Sequence, residues 1–292
     1  MAEAPLSVVT GANSGIGRAT VIHLAQHGHR AVGSVRSIAK ADKLLASADA
    51  AGVTVELVEF DIASDESVTA GFDEIAGRFG AVDHLVNNAG IGGNGVVEET
   101  TADRFLDVMN VDLCGAVRCA QAVLPGMRER RSGTIVNITS VAGRFGAIAQ
   151  APYVAAKWAL EGVSEELAIE VAPFDIRVAI IEPGVTKSSI FGKNTDAANE
   201  SGAYDEQYAR MLQMYAAGYV RATDAGDVAE VIRHAIETDQ PKLRYHVSWG
   251  GRELIEGRSR MTDEQWLALG RVDSLDGYIA MFDDLFGLDI TT

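Results

Sequence analysis

Short apolar runs and longer amphipathic stretches alternate along most of this chain. Leu6-Ser7-Val8-Val9-Thr10 reads as a short buried strand, and a helical pattern with Val21, Ile22, Leu24 and Ala25 follows it. Gly28 is placed to end that helix. Arg30–Val35 is a second strand, Ile38–Ala50 an amphipathic helix, and Val53–Phe60 a third strand running into Asp61-Ile62. Ser64 is a candidate N-cap for a helix that reaches Phe79. Val82–Asn87 is the fourth strand, Thr101–Met127 a helix with a break expected near Asn110, and Thr134–Ile138 the fifth strand. A helix Pro152–Val171, a sixth strand Ile176–Ile181, a helix Asp224–Glu237 and a last strand Arg244–Val247 complete the pattern. This alternation predicts an α/β fold: a doubly wound parallel sheet of about seven strands, with helices on both faces and right-handed crossovers.

The rhythm breaks in two places. Residues 185–222 form a long, polar connection of the kind that serves as a substrate lid, with short helices of its own. Residues 250–292 form a C-terminal extension. Within it Thr262-x-x-Gln265 has the form of a capping box. Tyr278, Met281, Phe282, Leu285 and Phe286 recur at helical spacing, a stripe expected to pack on the core rather than to touch substrate. No repeat or linker divides the chain, so residues 1–292 are read as one domain of Rossmann type.

Composition narrows the partners. The chain has 292 residues, 47% hydrophobic and 23% charged, enough for one large core. Its formal net charge of -16 argues against nucleic acid and anionic membrane, which both attract basic surface. The start MAEAPLSVVT lacks the basic flank and apolar core of a secretion signal, and no stretch approaches a membrane span. Cys114 and Cys119 give no disulfide framework and fit a reducing compartment. The expected location is the cytoplasm.

Candidate chemistry lies at the strand ends. Gly11, Gly15 and Gly17 fall between the first strand and the first helix, spaced G-x-x-x-G-x-G. Glycines there let a backbone approach a pyrophosphate, and the helix N-terminus offers free N–H groups and a positive dipole end. Asp61, Asn88 and Ser140 also fall at strand C-termini, where doubly wound sheets bind ligands. Tyr153-x-x-x-Lys157 follows Pro152, which suits the first turn of a helix. Tyr153 and Lys157 are then i and i+4 on one face. A free phenol ionises near a pH of about 10, and a close ammonium favours the phenolate, so such a pair can move a proton to or from an alcohol oxygen. His23 and His27 also stand at i and i+4, with His29 just beyond. No Glu intervenes in the H-E-x-x-H manner, so the three are read as a solvated face and no metal is expected.

Taken together, TGANSGIG, Asp61, NNAG, Asn110, Ser140, Tyr153-x-x-x-Lys157 and Pro183-Gly184 resemble the short-chain dehydrogenase/reductase family over about Leu6 to Val247. The resemblance implies a catalytic set of Asn110, Ser140, Tyr153 and Lys157. Ser140 would hydrogen-bond the reacting oxygen and Tyr153 would transfer the proton. Lys157 would hold the nicotinamide ribose and tune Tyr153, and Asn110 would hold a water in a proton relay. Gly11, Gly15 and Gly17 would pack the pyrophosphate, with Asn13, Ser14 and Ile16 in the same cofactor-binding turn. Asp61 would accept from the adenine amino group with Ile62 beside it. Asn88, Ala89 and Gly90 would line the adenine ribose, and Pro183, Gly184 and Thr186 the nicotinamide carboxamide. Ser188 is also placed for that last contact. The residues after Pro183 and the extension after Gly250 exceed a minimal member.

The expected partner is a small ketone or alcohol, apolar or cyclic, and the expected assembly a homodimer or homotetramer. NADP(H) is favoured over NAD(H). An NAD site usually carries Asp or Glu at the end of the second strand, accepting from the ribose 2′-OH. Val35 holds that position here, and Arg36 follows it, able to bind a 2′-phosphate. Two other readings stand beside this one: a nucleotide-sensing regulatory protein on the same fold, and a sugar-nucleotide epimerase or dehydratase. The first has no need of proton-transfer groups, and the second would show a different glycine spacing and a larger C-terminal domain.

Overall fold

The computed structural model describes residues 4–187 and 199–292. Ser188 and most of the first half of the expected lid therefore lie outside the described residues. The strands are β1 Leu6–Val9, β2 Arg30–Val35, β3 Glu56–Glu59, β4 His84–Asn87, β5 Gly133–Ile138, β6 Ile176–Pro183 and β7 Arg244–Val247. They form one sheet in the order β3-β2-β1-β4-β5-β6-β7, with every neighbouring pair parallel. The order reverses between β1 and β4, which leaves a crevice at their C-terminal ends.

The helices are α1 Gly15–Gln26, α2 Asp42–Ala50, α3 Asp65–Phe79, α4 Ala102–Met109, α5 Gly115–Arg130, α6 Ala151–Val171, α7 Asp205–Arg221 and α8 Ala225–Glu237, then α9 Gly251–Arg260, α10 Asp263–Gly270 and α11 Leu275–Phe286. Alternate residues of a strand face opposite sides, and β1 divides its apolar residues accordingly. Val9 joins one core with Leu24 of α1, Leu44 of α2 and Ile232 of α8. Leu6 and Val8 join the other with Ile75 of α3, Val123 of α5 and Val171 of α6. No described helix is long and apolar enough to cross a membrane.

Local boundaries differ from the pattern for identifiable reasons. The helix expected from Ile38 begins at Asp42, because Ile38–Lys40 forms a separate tight turn. The Asn13 side chain donates to the Lys40 carbonyl at 3.0 Å and so takes an acceptor that a continuous helix would use. Strand β3 starts at Glu56, since the Val53 N–H is still bonded to the Ala48 carbonyl of α2. Ser64 caps α3 as expected, accepting from the Ser67 N–H at 3.2 Å. The break near Asn110 is a wide turn, Asn110–Cys114, in which the Gly115 N–H reaches the Asn110 carbonyl five residues back.

The solvated-histidine reading fails for His29. It is 9% exposed, and its ring bonds the Ser7 hydroxyl at 2.7 Å and the Glu237 carboxylate at 3.1 Å. Gly28, at φ 87°, turns the chain back so that His29 enters β2 from beneath α1. In the extension, the Thr262–Gln265 capping box forms. Tyr278, Phe282 and Phe286 of the stripe are buried with Leu254, Ile255, Phe145 and Ala217. Helix α9 was hidden in the sequence by its charged residues. Its apolar contribution is only Leu254 and Ile255, with Gly257 pressed so close to Phe286 that a Cβ would lie 2.5 Å from the ring.

Candidate active site

The first turn of the crevice is built on Thr10. Its hydroxyl oxygen accepts from the backbone N–H groups of Asn88 and Ala89, each at 3.0 Å. The Asn88 side chain returns a bond to the Thr10 carbonyl at 2.8 Å. The end of β1 and the start of the loop after β4 are thus tied into one unit. Gly11, at φ 67°, lies so near Ala89 that a Cβ would be 2.8 Å from its Cα. Gly17, in the first turn of α1, faces the same unit, where a Cβ would lie 2.4 Å from Asn88 Nδ2 and 2.5 Å from the Gly11 carbonyl. These glycines bring α1 against the two strand ends and aim its N-terminus into the crevice. Ser14 stands at the N-cap and Gly15 is at φ 55°. Arg18 holds the turn from inside, donating to the Asn13 carbonyl.

The second wall is the end of β2. Val35 is buried and Arg36 exposed, with no ion pair from Arg36 to a described residue. Glu59, the register partner of Val35 on β3, is turned to the Ile38 N–H at 2.7 Å. Asp61 accepts from the Ala63 N–H at 2.9 Å. Ile62 is buried against Gly115, where a Cβ would come within 2.6 Å of it.

On the other side of the crevice, Ser140 follows β5 and is 9% exposed, its hydroxyl accepting from the Ala142 N–H at 3.1 Å. Helix α6, opened by Pro152, carries Tyr153 and Lys157 one turn apart. The Lys157 ammonium lies 5.5 Å from the centre of the Tyr153 ring. It donates to the Ile138 carbonyl at 3.1 Å. Pro183 ends β6, and the next peptide crosses over β7. The Gly184 N–H bonds the Val247 carbonyl, and a Cβ on Gly184 would lie 2.1 Å from the Trp249 carbonyl. Thr186 is buried, its hydroxyl 2.7 Å from that of Ser248.

Asn110 is not among the groups gathered at Lys157. Its amide donates to the Ala63 carbonyl at 3.2 Å, and its own carbonyl accepts from Arg118. The residue that reaches Lys157 from this helix is Asp112, with Oδ2 3.2 Å from the ammonium. Burial works against the Lys157 ammonium, but the Asp112 carboxylate and Tyr153 outweigh it and hold the lysine above its ordinary value. Asp112 was not picked out in the sequence, and Thr10 entered as the first letter of TGANSGIG, with no role given to it. Thr10 stands just before a familiar glycine run, and Asp112 carries no motif of its own.

A further residue comes from an element the pattern left unassigned. Tyr215 of α7 donates to the Asn94 side chain at 2.8 Å. Burial, and then the nearby Tyr153, push the Tyr215 phenol up. An apolar cleft of about 500 Å³ opens on the adjoining face of α6, lined by Val96, Phe105, Ala149, Val154 and Tyr204 among others. Beneath the site Glu182 is fully buried at the end of β6, faced by Arg144 at 3.0 Å and His246 at 2.7 Å.

Away from the crevice, His23, His27 and Glu230 come together with candidate ligand atoms within 4.8 Å of one another. Glu230 is already bound by His23 at 2.8 Å and by both arms of Arg233. His27 turns Nδ1 to the His23 carbonyl. Hydrogen bonds account for this grouping, and the guanidinium beside it would repel a cation.

The parallel sheet, the glycine turn and the Tyr153–Lys157 helix define a nicotinamide-dependent type of site, and the chain belongs to the short-chain dehydrogenase family. That family's model, described as short chain dehydrogenase, matches residues 6–199. Human retinol dehydrogenase 8 is 37% identical over 257 residues, covering 84% of this chain and 82% of that protein. A short-chain dehydrogenase from Streptomyces avermitilis superposes with a TM-score of 0.80 at 34% identity, covering 93% of this chain and all of that one. An actinorhodin polyketide ketoreductase variant solved with NADPH is similar over 80% of this chain and 90% of its own, with 31% identity and a TM-score of 0.68. The protein is therefore an oxidoreductase of this family acting on a small molecule.

Proposed function

We propose that the chain interconverts a ketone and a secondary alcohol with NADP(H), on an apolar or cyclic substrate. The observation that carries this reading is the Lys157 ammonium, 5.5 Å from the centre of the Tyr153 ring and bonded to the carbonyl of Ile138, two residues before Ser140. The dinucleotide, when bound, supplies or takes the hydride. The residues that fit it are Gly11, Gly15 and Gly17 at the pyrophosphate, and Asp61, Ile62, Asn88, Ala89 and Gly90 at the adenosine. Those glycine positions have no room for a side chain at Gly11 or Gly17, as close backbone approach requires. Pro183, Gly184 and Thr186 adjoin the nicotinamide end.

In reduction the carbonyl oxygen becomes an alkoxide, which needs a donor to hold it and an acid to protonate it. Ser140 serves as the donor and Tyr153 as the acid. Lys157 has three N–H bonds. Ile138 takes one of them and Asp112 Oδ2 stands 3.2 Å from the nitrogen, and a remaining N–H would meet a cofactor hydroxyl. The apolar lining of the cleft beside α6 supports an apolar substrate, with Tyr204 and Gln207 of the 185–222 segment closing one side.

The cofactor preference rests on Val35 and Arg36. No carboxylate ends β2, and Glu59, the nearest one across the register, is held by the Ile38 N–H. Arg36 is exposed beside that position and free to meet a 2′-phosphate. A hydrogen bond to a charged group contributes about 1.5–3 kcal/mol, or roughly tenfold to a hundredfold in affinity. The test is kcat/KM with NADPH and with NADH. NADPH should win in the wild type, and Val35→Asp with Arg36→Ala should reverse the order. A wild-type preference for NADH would show that Arg36 does not read the phosphate.

A homo-oligomer is the proposed assembly. Small-residue faces on the Asn110–Met127 and Pro152–Val171 helices are the contact expected from the sequence, but Gly115, Ala116 and Ala120 are taken up by the chain's own core. Leu106, Trp158, Val163 and Ile169 of α4 and α6 instead point outward, and they would form the contact.

A further inference from the structure

Past β5 the chain makes a tight turn, Val141–Gly143, with Ser140 as its cap. The Ser140 hydroxyl accepts from the Ala142 N–H at 3.1 Å, and the Gly143 N–H returns to the Ser140 carbonyl at 2.8 Å. On one side the turn lies against α6, where a Cβ on Gly143 would stand 2.9 Å from Glu161 Cγ and 3.0 Å from the Lys157 carbonyl. On another side Val141 and Phe145 are buried in the apolar cluster that α9 and α11 share. Two polar ties join the turn to β6. Thr139, just before it, donates from its N–H and its hydroxyl to the Ile181 carbonyl, at 2.9 and 3.0 Å. Arg144, just after it, reaches the next residue of that strand, its Nη1 donating to Glu182 Oε1 at 3.0 Å. The Glu182 side chain is fully buried, whereas that of Arg144 is 36% exposed. From β7, His246 Nδ1 faces the carboxylate at 2.7 Å and Arg244 Nε at 3.9 Å.

An ion pair on a buried carboxylate adds little stability over apolar residues of the same volume. What it does supply is direction. The packing of Val141, Gly143 and Phe145 keeps the turn close but does not fix its rotation, whereas a charge-assisted hydrogen bond has a set length and angle. Glu182 is itself held from β7, so it serves as an anchor rather than a swinging arm. We infer that Glu182 is a positioning residue that, through Arg144, pins the turn carrying Ser140 to the end of β6. Pro183 and Gly184 follow Glu182 directly, so the pin also fixes the Ser140 turn relative to the proposed nicotinamide end. Its effect on turnover rests on the reading of Ser140 as donor to the substrate oxygen, but the pin itself does not.

Glu182→Met removes the acceptor at nearly constant length and leaves the Arg144 side chain able to reach water. Amide exchange followed by mass spectrometry, without cofactor, reads the turn directly. A peptide covering residues 139–145 should exchange about tenfold to a hundredfold faster, the worth of one hydrogen bond to a charged group, while peptides of β1 and α1 keep their rates. Unchanged exchange in 139–145, or equal acceleration along the whole chain, would overturn the proposal. Reduction of cyclohexanone by NADPH gives the second readout. A displacement of about 1 Å can cost about 100-fold in rate, so kcat should fall tenfold or more, with NADPH Kd little changed, in Glu182→Met, in Arg144→Met and to the same extent in the double variant. Glu182→Gln keeps an acceptor for Arg144 and should recover most of the rate. The double variant removes both charges of the pair, so a pair that served stability alone would be restored there. Wild-type kcat in the double variant, or two single losses that add, would overturn the proposal. Wild-type protein inert towards cyclohexanone would count against the functional reading instead, and amide exchange would still decide the pin.

Discussion

Substituting Gly17 by Ala tests the construction of the cofactor turn in one step. The new methyl would stand 2.4 Å from Asn88 Nδ2 and 2.5 Å from the Gly11 carbonyl, both well inside contact distance. Two responses are open. Asn88 can swing away and lose its 2.8 Å bond to the Thr10 carbonyl, at about 1 kcal/mol. Otherwise α1 lifts from the strand ends, with an overpacking cost of about 1–3 kcal/mol. Propensity alone would favour Ala in a helix by about 1 kcal/mol, so a net loss would report the clash rather than the backbone. Either response therefore costs about 1–3 kcal/mol, or roughly 2–6 °C in Tm for a chain of this size. Either response also moves the N–H groups proposed to meet the pyrophosphate, and dinucleotide affinity should fall at least about tenfold. Thermal unfolding followed by circular dichroism and NADPH binding followed by its fluorescence measure the two effects. Gly17→Ala protein with unchanged Tm and unchanged Kd would refute the close packing of α1 on Asn88.

Three further outcomes are expected. Tyr153→Phe should cut kcat by about 100- to 10,000-fold with cofactor Kd little changed; near-normal turnover would remove Tyr153 from the proton-transfer step. Burial, then His29, hold the His84 imidazole down at about 4 against an ordinary 6.5. The folded state thus prefers the neutral ring, and this contribution is whole above pH 6.5 and lost as pH falls towards 4, by about 3 kcal/mol. His84→Leu should flatten the urea midpoint across that window, and parallel curves for the two proteins would contradict it. Light scattering at micromolar concentration should give a multiple of the 31.0 kDa chain mass, and Trp158→Glu should lower it; a monomer in the wild type would rule out the proposed contact.

The order of elements was legible because it depends on local pattern. Apolar runs such as Leu6–Val9 and Ile176–Ile181 bury on both faces of a parallel sheet, and the helices between them bury one stripe each. Gly11 and Gly17 could be read as points of close backbone approach because such contact excludes every other residue. Tyr153 and Lys157 could be read as a pair because i and i+4 share a helix face whatever surrounds them. Other features depend on which distant segments meet. Asn110 and Asp112 are two residues apart, and only the turn at Asn110–Cys114 decides that the carboxylate, not the amide, reaches Lys157. Thr10 gains its place from the return of β4 alongside β1. His29, polar in the sequence, is buried because Ser7 and Glu237, 22 and 208 residues away, satisfy both its nitrogens. Short-range periodicity records what a residue does within its own element. The partners that neutralise a buried charge or complete a hydrogen bond come from elsewhere in the chain, and only the packed sheet brings them within 3 Å or so.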